Sequence, residues 1–212
     1  ISVLSIMLTG HSKDGKEELS DMGHTVTTRQ GAVTYLEKGN ISFESPRAWS
    51  RFFSDTKQGF SRYMKEQNIS MLITNPEWDY YVEIAVHDAE DMSLHNFTDI
   101  QYPTISEATE ETLETGEFTF TKSTYERAAF SHAEYNVVTR YTTVSEGKCI
   151  EFCCYYLSSQ PITIADEVNA LDAKMLPLIK GVTLGDATKN IKKETPTKLS
   201  TLSGFTFSIW IL

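Results

Sequence analysis

The alternation of apolar and polar positions is strongest between residues 135 and 157. Two arms rich in β-branched and aromatic residues, Tyr135 to Val144 and Cys149 to Leu157, flank a short turn that contains Gly147. Arms of this kind around a glycine-containing turn predict a β-hairpin. In a strand, successive side chains point to opposite faces. One face of the second arm therefore carries Ile150, Phe152, Cys154 and Tyr156.

Glu151 is the one charged residue in the second arm. A strand with so little charge is typical of a sheet that is covered on both faces. The hairpin is therefore predicted to be the centre of a sheet with helices packed on it. We expect Glu151 either to reach solvent at an edge of the sheet or to pair with Arg140 of the first arm, because opposite charges pair across neighbouring strands.

Shorter patterns before and after this hairpin predict the rest of the sheet. A first hairpin is expected where Val33 to Leu36 and Ile41 to Glu44 flank a polar turn. The other expected strands are Gly59 to Gln67, Ile69 to Thr74, Trp78 to Val86, Phe118 to Phe120 and Val182 to Leu184.

Two helices are predicted. Thr104 followed by Glu107 has the form of a capping box, which indicates a helix from Ile105 to Thr115 that stops at Gly116. The second helix is capped by Thr163. Its apolar positions repeat every three or four residues, at Ile164, Val168, Leu171, Met175 and Leu178. Proline destabilises a helix interior by about 3 kcal/mol, so Pro177 predicts a kink or break near Lys174.

The two ends of the chain differ in composition from the middle. Residues 1–30 begin with an apolar run, Ile1 to Leu8, and continue as a polar stretch, which is typical of a signal remnant followed by a linker. Leu8-Thr9-Gly10 resembles a lipoprotein cleavage box, but His11 stands where that box needs cysteine. An ordinary chain end is the alternative. Residues 31–185 are then the folded domain, and residues 186–212 are a tail that ends in the apolar run Phe205–Leu212.

Charge excludes one class of partner and leaves another open. The net charge is −10 and the pI is near 5.0, which argues against a nucleic-acid-binding protein because phosphate binding requires a basic surface. Residues 77–134 hold fourteen Asp/Glu and only two Lys/Arg. This segment is either a solvated acidic face or a surface for a basic partner or divalent cations.

The sequence carries no catalytic or cofactor-binding signature. G-x-S-x-G, H-E-x-x-H, P-loop and dinucleotide-binding patterns are missing. His87 and His95 lie among carboxylates, but their spacing matches no metal motif. Cys149 and Cys153 are about 13 Å apart along one strand, too far for a disulfide, so the cysteines are predicted to be free thiols. We therefore expect no enzyme, no cofactor and no metal site.

One stretch resembles a known family. The segment from Asn40 to Trp49 has a strand with Phe43, then Pro46, then Trp49, and is similar to the opening of the PsbP-like family, which includes the Mog and DcrB types. The expected acidic helix, the tyrosine-rich meander from Phe118 to Leu157 and the final amphipathic helix extend the resemblance over residues 33–184. The family implies an α+β fold, an antiparallel sheet flanked by helices in an α/β/α sandwich. It also implies a mostly non-catalytic role, and the bacterial envelope lipoprotein branch fits best.

These observations lead to two functional hypotheses. The first is a non-catalytic, secreted or envelope-associated module that binds a protein partner not identified by the sequence, with membrane tethering through the N-terminus as an option. The second is a cystatin/NTF2-like ligand-binding or enzymatic domain with an aromatic-lined pocket, in which a buried Glu151 could act as a general acid or base. The candidate surface consists of Trp49, Tyr125, Tyr141, Glu151 and Tyr155, with Tyr156 added in the pocket hypothesis.

Overall fold

The computed structural model describes residues 17–56, 61–90, 108–126, 136–157 and 163–191. Within these ranges the chain forms two antiparallel sheets and two α-helices. The smaller sheet contains β1 (Glu17–Ser20), β2 (Gly23–Thr27), β3 (Ala32–Leu36), β4 (Ile41–Ser45) and β12 (Thr183–Leu184). The larger sheet contains β5 (Ser50–Phe53), β6 (Met71–Thr74), β7 (Tyr80–Asp88), β8 (Thr109–Glu114), β9 (Thr119–Glu126), β10 (Asn136–Ser145) and β11 (Lys148–Leu157). The helices are α1 (Ser61–Glu66) and α2 (Ile164–Lys180).

The hairpin predicted at residues 135–157 is confirmed as β10 and β11. Ten registered pairs run from Asn136–Leu157 to Ser145–Lys148. The turn consists of Glu146 and Gly147, both with positive φ, at 50° and 74°. Two positive φ values in succession match the twist of the strands that such a turn joins. The order β5-β6-β7-β11-β10-β9-β8 places the hairpin inside the larger sheet.

The main core lies on one face of the larger sheet, called here the inner face. Ile150, Phe152 and Cys154 are fully buried there, as the alternation predicts. The smaller sheet covers this face, and Phe43 of β4 meets Phe152 edge to face with ring centroids 5.8 Å apart. Helix α2 completes the cover with Leu171, Met175, Leu178 and Ile179.

Helix α2 confirms the predicted cap and the predicted burial of Leu171, Met175 and Leu178, but it does not break where predicted. The Thr163 hydroxyl accepts a hydrogen bond from the backbone N–H of Asp166 at 3.2 Å. The helix continues through Pro177 to Lys180. Proline here costs one backbone hydrogen bond in the last turn, and the burial of Leu178 and Ile179 in the core holds that turn in place.

The predicted acidic helix at residues 105–115 is wrong over its described part, because residues 109–114 are the strand β8. The strand pairs with β9 over six residues, and Glu111 lies directly opposite Lys122 with an N–O distance of 2.6 Å. This long-range pairing outweighs the local preference of glutamate for helix. A second segment differs in the opposite sense: residues 61–66, expected to be strand, form α1.

The boundaries of the folded domain are wider than the expected residues 31–185. The strands β1 and β2 lie within the expected polar linker and extend the smaller sheet through registered pairs between β2 and β3. The expected tail begins with a 3-10 helix, Ala187–Asn190, in which Thr188 is buried. Three features of the chain ends are outside the described residues. They are the apolar run Ile1–Leu8, His11 and the apolar run Phe205–Leu212.

The antiparallel α+β class is confirmed, and a second sheet is added to it. The smaller sheet and α2 share the inner face of the larger sheet. The opposite, outer face carries the short helix α1, where Met64 packs with Leu72 and against Phe52 and Tyr81. Neither helix is both long enough and apolar enough to cross a bilayer, within the ranges that the structure describes.

Candidate functional site

The five residues proposed from the sequence as a ligand or partner surface are all buried, with exposures between 0% and 8%. The larger sheet divides them. Trp49 and Tyr141 belong to the main core on the inner face, whereas Tyr125 and Tyr155 form a cluster on the outer face. Glu151 shares the outer face because it alternates with Phe152 along β11. The sequence therefore identified two separate sets of residues, not one surface.

Pairs of stacked tyrosines explain why these rings do not line one pocket. Tyr81 stacks on Tyr155 on the outer face, with centroids 4.4 Å apart. Tyr80 stacks on Tyr156 on the inner face at 4.7 Å. Both stacks follow from the register of β7 and β11, which places the two tyrosine pairs directly opposite each other. Each ring contributes to packing of its own face, so the predicted aromatic-lined pocket is not formed from these residues.

Glu83 is the centre of a buried polar network on the outer face. The Tyr155 hydroxyl donates to one of its carboxylate oxygens at 2.8 Å, and the Tyr63 hydroxyl donates to the other at 2.7 Å. The Cys153 thiol donates to the Tyr155 hydroxyl, with sulfur and oxygen 3.1 Å apart. Glu83 is 5% exposed, and a buried carboxylate needs such donors to remain charged.

Arg140 balances the second buried carboxylate of this face. Its Nε lies 3.5 Å from Oε1 of Glu151, which confirms the pairing across the hairpin that the sequence predicts. One terminal nitrogen of the guanidinium donates to the Tyr125 hydroxyl at 2.9 Å. Glu83, Cys153 and Arg140 are also aligned in one row across β7, β11 and β10. Tyr155 thus belongs to the hydrogen-bonded group around Glu83, and Tyr125 and Glu151 belong to the neighbouring group around Arg140. Sequence analysis missed Glu83.

The three cysteines are free and buried, as predicted. Burial and, to a smaller extent, the charge of Glu151 together raise the pKa of Cys149 to about 11. Burial likewise raises the pKa of Cys153 to about 11 and that of Cys154 well above the ordinary thiol value. A thiolate is the nucleophilic form of cysteine, so all three side chains are poor nucleophiles at neutral pH.

The exposed part of the candidate site is the acidic edge formed by β8. This strand is the last in the order of the larger sheet among the strands described. Its sequence is TEETLE, and its exposed residues are Thr109, Glu110, Glu111, Thr112 and Glu114. Leu113 is half-buried and packs against the main core. One apolar side chain therefore anchors a strand that otherwise presents polar groups and acidic charge to solvent.

Lys122 fixes the acidic edge to the rest of the fold. Its Nζ lies 2.6 Å from Oε1 of Glu111 and 2.8 Å from Oδ2 of Asp172 on α2. Burial alone would lower the pKa of Lys122, but the bonds to Asp172 and Glu111 outweigh it and raise the pKa. The Tyr141 hydroxyl donates to the other oxygen of Asp172 at 3.2 Å. Sequence reasoning found Tyr141 but not Lys122, the one lysine in a strongly acidic segment.

No group of three or more His, Cys, Asp or Glu side chains in the described ranges is gathered as a metal site. Asp88 binds Lys148 at 2.5 Å, and this bond, followed by the charge of the same lysine, lowers the pKa of Asp88. His87 is buried at the end of β7. His95, the second histidine considered in the sequence, is outside the described residues.

Comparison with known proteins gives structural matches only. The chain is similar to a crystal structure from Bacteroides thetaiotaomicron, with a TM-score of 0.47 and 12% identity over 75% of this chain. It spans 50% of the length of that protein. It is also similar to the solution structure of a cyanobacterial PsbP from Synechocystis, with a TM-score of 0.46 and 9% identity over 70% of this chain and 88% of the other. No family model matches the chain, and no curated protein sequence matches it. These levels of similarity do not assign the chain to a family.

Proposed function

We propose that this protein is a non-catalytic interaction module of the cell envelope or the secreted fraction, built as a helix-flanked, PsbP-like sandwich. Its partner is a protein segment that binds to the acidic edge formed by β8. The observation that carries this proposal is the exposure of five of the six residues of that strand.

An edge strand is suited to this role because its outward N–H and C=O groups have no partner within the sheet. An extended peptide can add to such an edge as a further strand, gaining main-chain hydrogen bonds along its length. Six residues of β8 span about 20 Å at the rise of an antiparallel strand. This length gives room for a peptide segment of similar size.

The charges of the edge favour a basic partner. Glu110 and Glu114 are paired only with hydroxyl groups among the described residues, those of Ser123 and Thr119. Of the three glutamates of β8, Lys122 neutralises the charge of Glu111 and not that of Glu110 or Glu114. Two copies of β8 would bring like charges together, which opposes self-association. A strand that carries lysine or arginine would place opposite charges at the same positions. The edge therefore disfavours pairing with a second copy of β8 and favours pairing with a basic segment.

The interior of the protein supports a non-catalytic role. On the outer face, Glu83 is held by Tyr63 and Tyr155, and Glu151 is held by Arg140. These groups satisfy one another, which is how buried charges are retained in a stable fold. The raised pKa values of the cysteines keep the thiols protonated at neutral pH.

The experiment is a titration with an extended peptide of alternating lysine and valine, followed by amide NMR. We expect the resonances of β8 to shift, with weaker binding at higher salt because exposed charge pairs are screened. The variant Glu110→Lys/Glu114→Lys should lose the binding, whereas Glu66→Lys, on the exposed face of α1, should retain it. Binding that survives the double variant, or that is equal for an alternating glutamate and valine peptide, would refute the proposal.

The location of the protein is tested separately. The apolar run Ile1–Leu8 supports a position outside the cytoplasmic membrane. With a complete signal sequence attached, the protein should appear in the soluble secreted fraction. His11→Cys should move it to the membrane fraction, because cysteine at that position completes the cleavage box. Retention in the cytoplasm with an intact N-terminus would contradict the envelope location and leave the peptide-binding proposal to stand alone.

A further inference from the structure

A cleft of about 350 Å³ lies at the end of the larger sheet where β7 stops and β6 begins. One wall is the 3-10 helix Glu37–Gly39 of the smaller sheet, which contributes Lys38. The other wall is α1 and the loop after it, which contribute Lys65 and Asn68. Small-molecule pockets in proteins begin at about 300 Å³, so the cleft can hold a small ligand.

Two lysine residues line this cleft. Lys38 and Lys65 are both exposed, and neither lies within 4.0 Å of a carboxylate oxygen among the described residues. Lys38 lies between two strands of the smaller sheet and Lys65 lies on α1, so the fold brings the two residues to one cleft. In a chain with net charge −10, two lysines in one concave site create a local positive potential.

The acidic residue of the cleft does not cancel this potential. Asp88 lines the cleft, but its carboxylate is bonded to Nζ of Lys148 at 2.5 Å. That bond lowers the pKa of Asp88, and the charge of Lys38 lowers it further. The aspartate and Lys148 form a neutral pair. The two wall lysines therefore leave the cleft with an excess of positive charge.

Neutral hydrogen-bond donors complete the lining. Asn68 follows α1 in the left-handed conformation, with φ of 55°, which asparagine tolerates better than most residues. Asn68 is exposed at the cleft, and the buried residues Ser70 and His87 also line it. Donors thus approach the cleft from both walls and from its floor.

We propose that this cleft binds a small molecule that carries a phosphate group. A carboxylate offers two oxygens in one plane, whereas a phosphate offers oxygens in tetrahedral directions that match donors on two walls and a floor. Two ammonium groups also match the double negative charge of a phosphate monoester at neutral pH. The site is distinct from the acidic edge and stands or falls independently of the partner proposed there.

The test uses glycerol 3-phosphate and inorganic phosphate as probes, with glycerol and succinate as the uncharged and dicarboxylate comparisons. Binding is followed by amide NMR of the whole protein. Both phosphates should shift the resonances of Asn68, Ser70 and His87, and glycerol should not. Lys38→Ala and Lys65→Ala should each weaken phosphate binding by about tenfold, the change that loss of one charge-assisted bond of about 1.4 kcal/mol produces. Lys180→Ala, at the exposed end of α2, is the matched control and should leave binding unchanged.

Each alternative result overturns the proposal. Resonance changes that persist in the Lys38→Ala/Lys65→Ala double variant would place phosphate elsewhere. Succinate that binds as tightly as glycerol 3-phosphate would show a general anion site rather than a phosphate site. Unchanged resonances at these residues with millimolar phosphate at low salt would show that the cleft is not an anion site. Circular dichroism of the variants confirms folding, which the exposure of both lysines leads us to expect.

Discussion

The Nζ of Lys122 lies 2.8 Å from Oδ2 of Asp172, and this bond joins β9 to α2. The same ammonium binds Glu111 on β8 at 2.6 Å. The lysine side chain is only 8% exposed, whereas Glu111 is 63% exposed and Asp172 is 22% exposed. One buried cation thus connects an edge strand, its neighbour and the helix that packs on the inner face.

Replacement of Lys122 by methionine should destabilise the protein. Methionine keeps the length of the aliphatic stem but leaves Asp172 without its charged donor, which we expect to lower the free energy of unfolding by about 2 kcal/mol. Urea denaturation measures the change. Lys180→Met, at the exposed end of α2, should alter stability by less than about 0.5 kcal/mol. Equal effects of the two substitutions would show that the Lys122 contacts contribute nothing to stability.

Glu167 on α2 is fully buried, and neither of its carboxylate oxygens has a hydrogen-bond partner within the described chain. Burial and, to a smaller extent, the charge of Glu126 together raise its pKa from 4.5 to about 7. Below pH 4.5 the group is protonated in both the folded and the unfolded states. Between pH 4.5 and 7 the unfolded chain releases a proton that the folded protein retains, so this group lowers stability as pH rises. Above pH 7 the loss is complete.

Glu167→Gln should therefore stabilise the protein at pH 8 and have little effect at pH 4.5. The gain at pH 8 is at most about 3 kcal/mol, because a tenfold change in proton affinity corresponds to about 1.4 kcal/mol, and screening by solvent reduces it. Urea denaturation at pH 4.5, 6 and 8 measures the difference between the variant and the unaltered protein. Glu126→Gln should produce a smaller gain in stability at pH 8, because it removes the neighbouring charge but leaves Glu167 buried. A difference that is constant across this pH range would show that Glu167 does not titrate there.

The β10–β11 hairpin and α2 were predictable because each shows a strong local period. Alternation fixes the two faces of β11, and the three-to-four spacing from Ile164 to Leu178 fixes the buried face of α2. The strand β8 was not predictable in this way, since its glutamates favour helix in isolation. Its stabilising partner, Lys122, lies eleven positions beyond Glu111 on another strand, and no local pattern contains that pairing.

The candidate sites show a similar limit. Sequence reasoning placed Arg140 beside Glu151 because both lie on one hairpin. It could not place Glu83 against Tyr155, because that contact depends on the pairing of β7 with β11, which are far apart in the chain. The cleft could not be predicted from local patterns either, since Lys38 and Lys65 lie on separate elements that only the tertiary fold brings to one site. Local patterns predict elements, and the sites depend on how the elements pair.

The cysteines should be unreactive in the folded protein. Burial and the raised pKa values of the thiols predict that Ellman's reagent modifies none of them within minutes at pH 8, whereas it modifies all three in denaturant. Glu66→Cys, which introduces an exposed thiol on α1, is the positive control and should react at once. Rapid modification of a native cysteine would show that its strand opens easily, and a count of one thiol in denaturant would show a disulfide.

The Tyr155 hydroxyl, which donates to Glu83, should contribute to stability beyond the stacking of its ring. Tyr155→Phe keeps the stack on Tyr81 and removes the donor, and it should lower the free energy of unfolding by about 1–3 kcal/mol because a buried carboxylate loses a hydrogen bond. Tyr156→Phe is the matched control. This change also keeps a stacked ring, that of Tyr156 on Tyr80. The Tyr156 hydroxyl that it removes donates to no carboxylate of the described chain.

A double-mutant cycle with Glu83→Gln separates the hydrogen bond from other effects of each change. The coupling between positions 83 and 155 should be about 1 kcal/mol or more, in the range found for residues in direct contact. Chemical denaturation of the four proteins at pH 7 provides the cycle. A coupling within about 0.3 kcal/mol of zero would show that Tyr155 stabilises the outer face through packing alone, and that the carboxylate of Glu83 is held by its other donors.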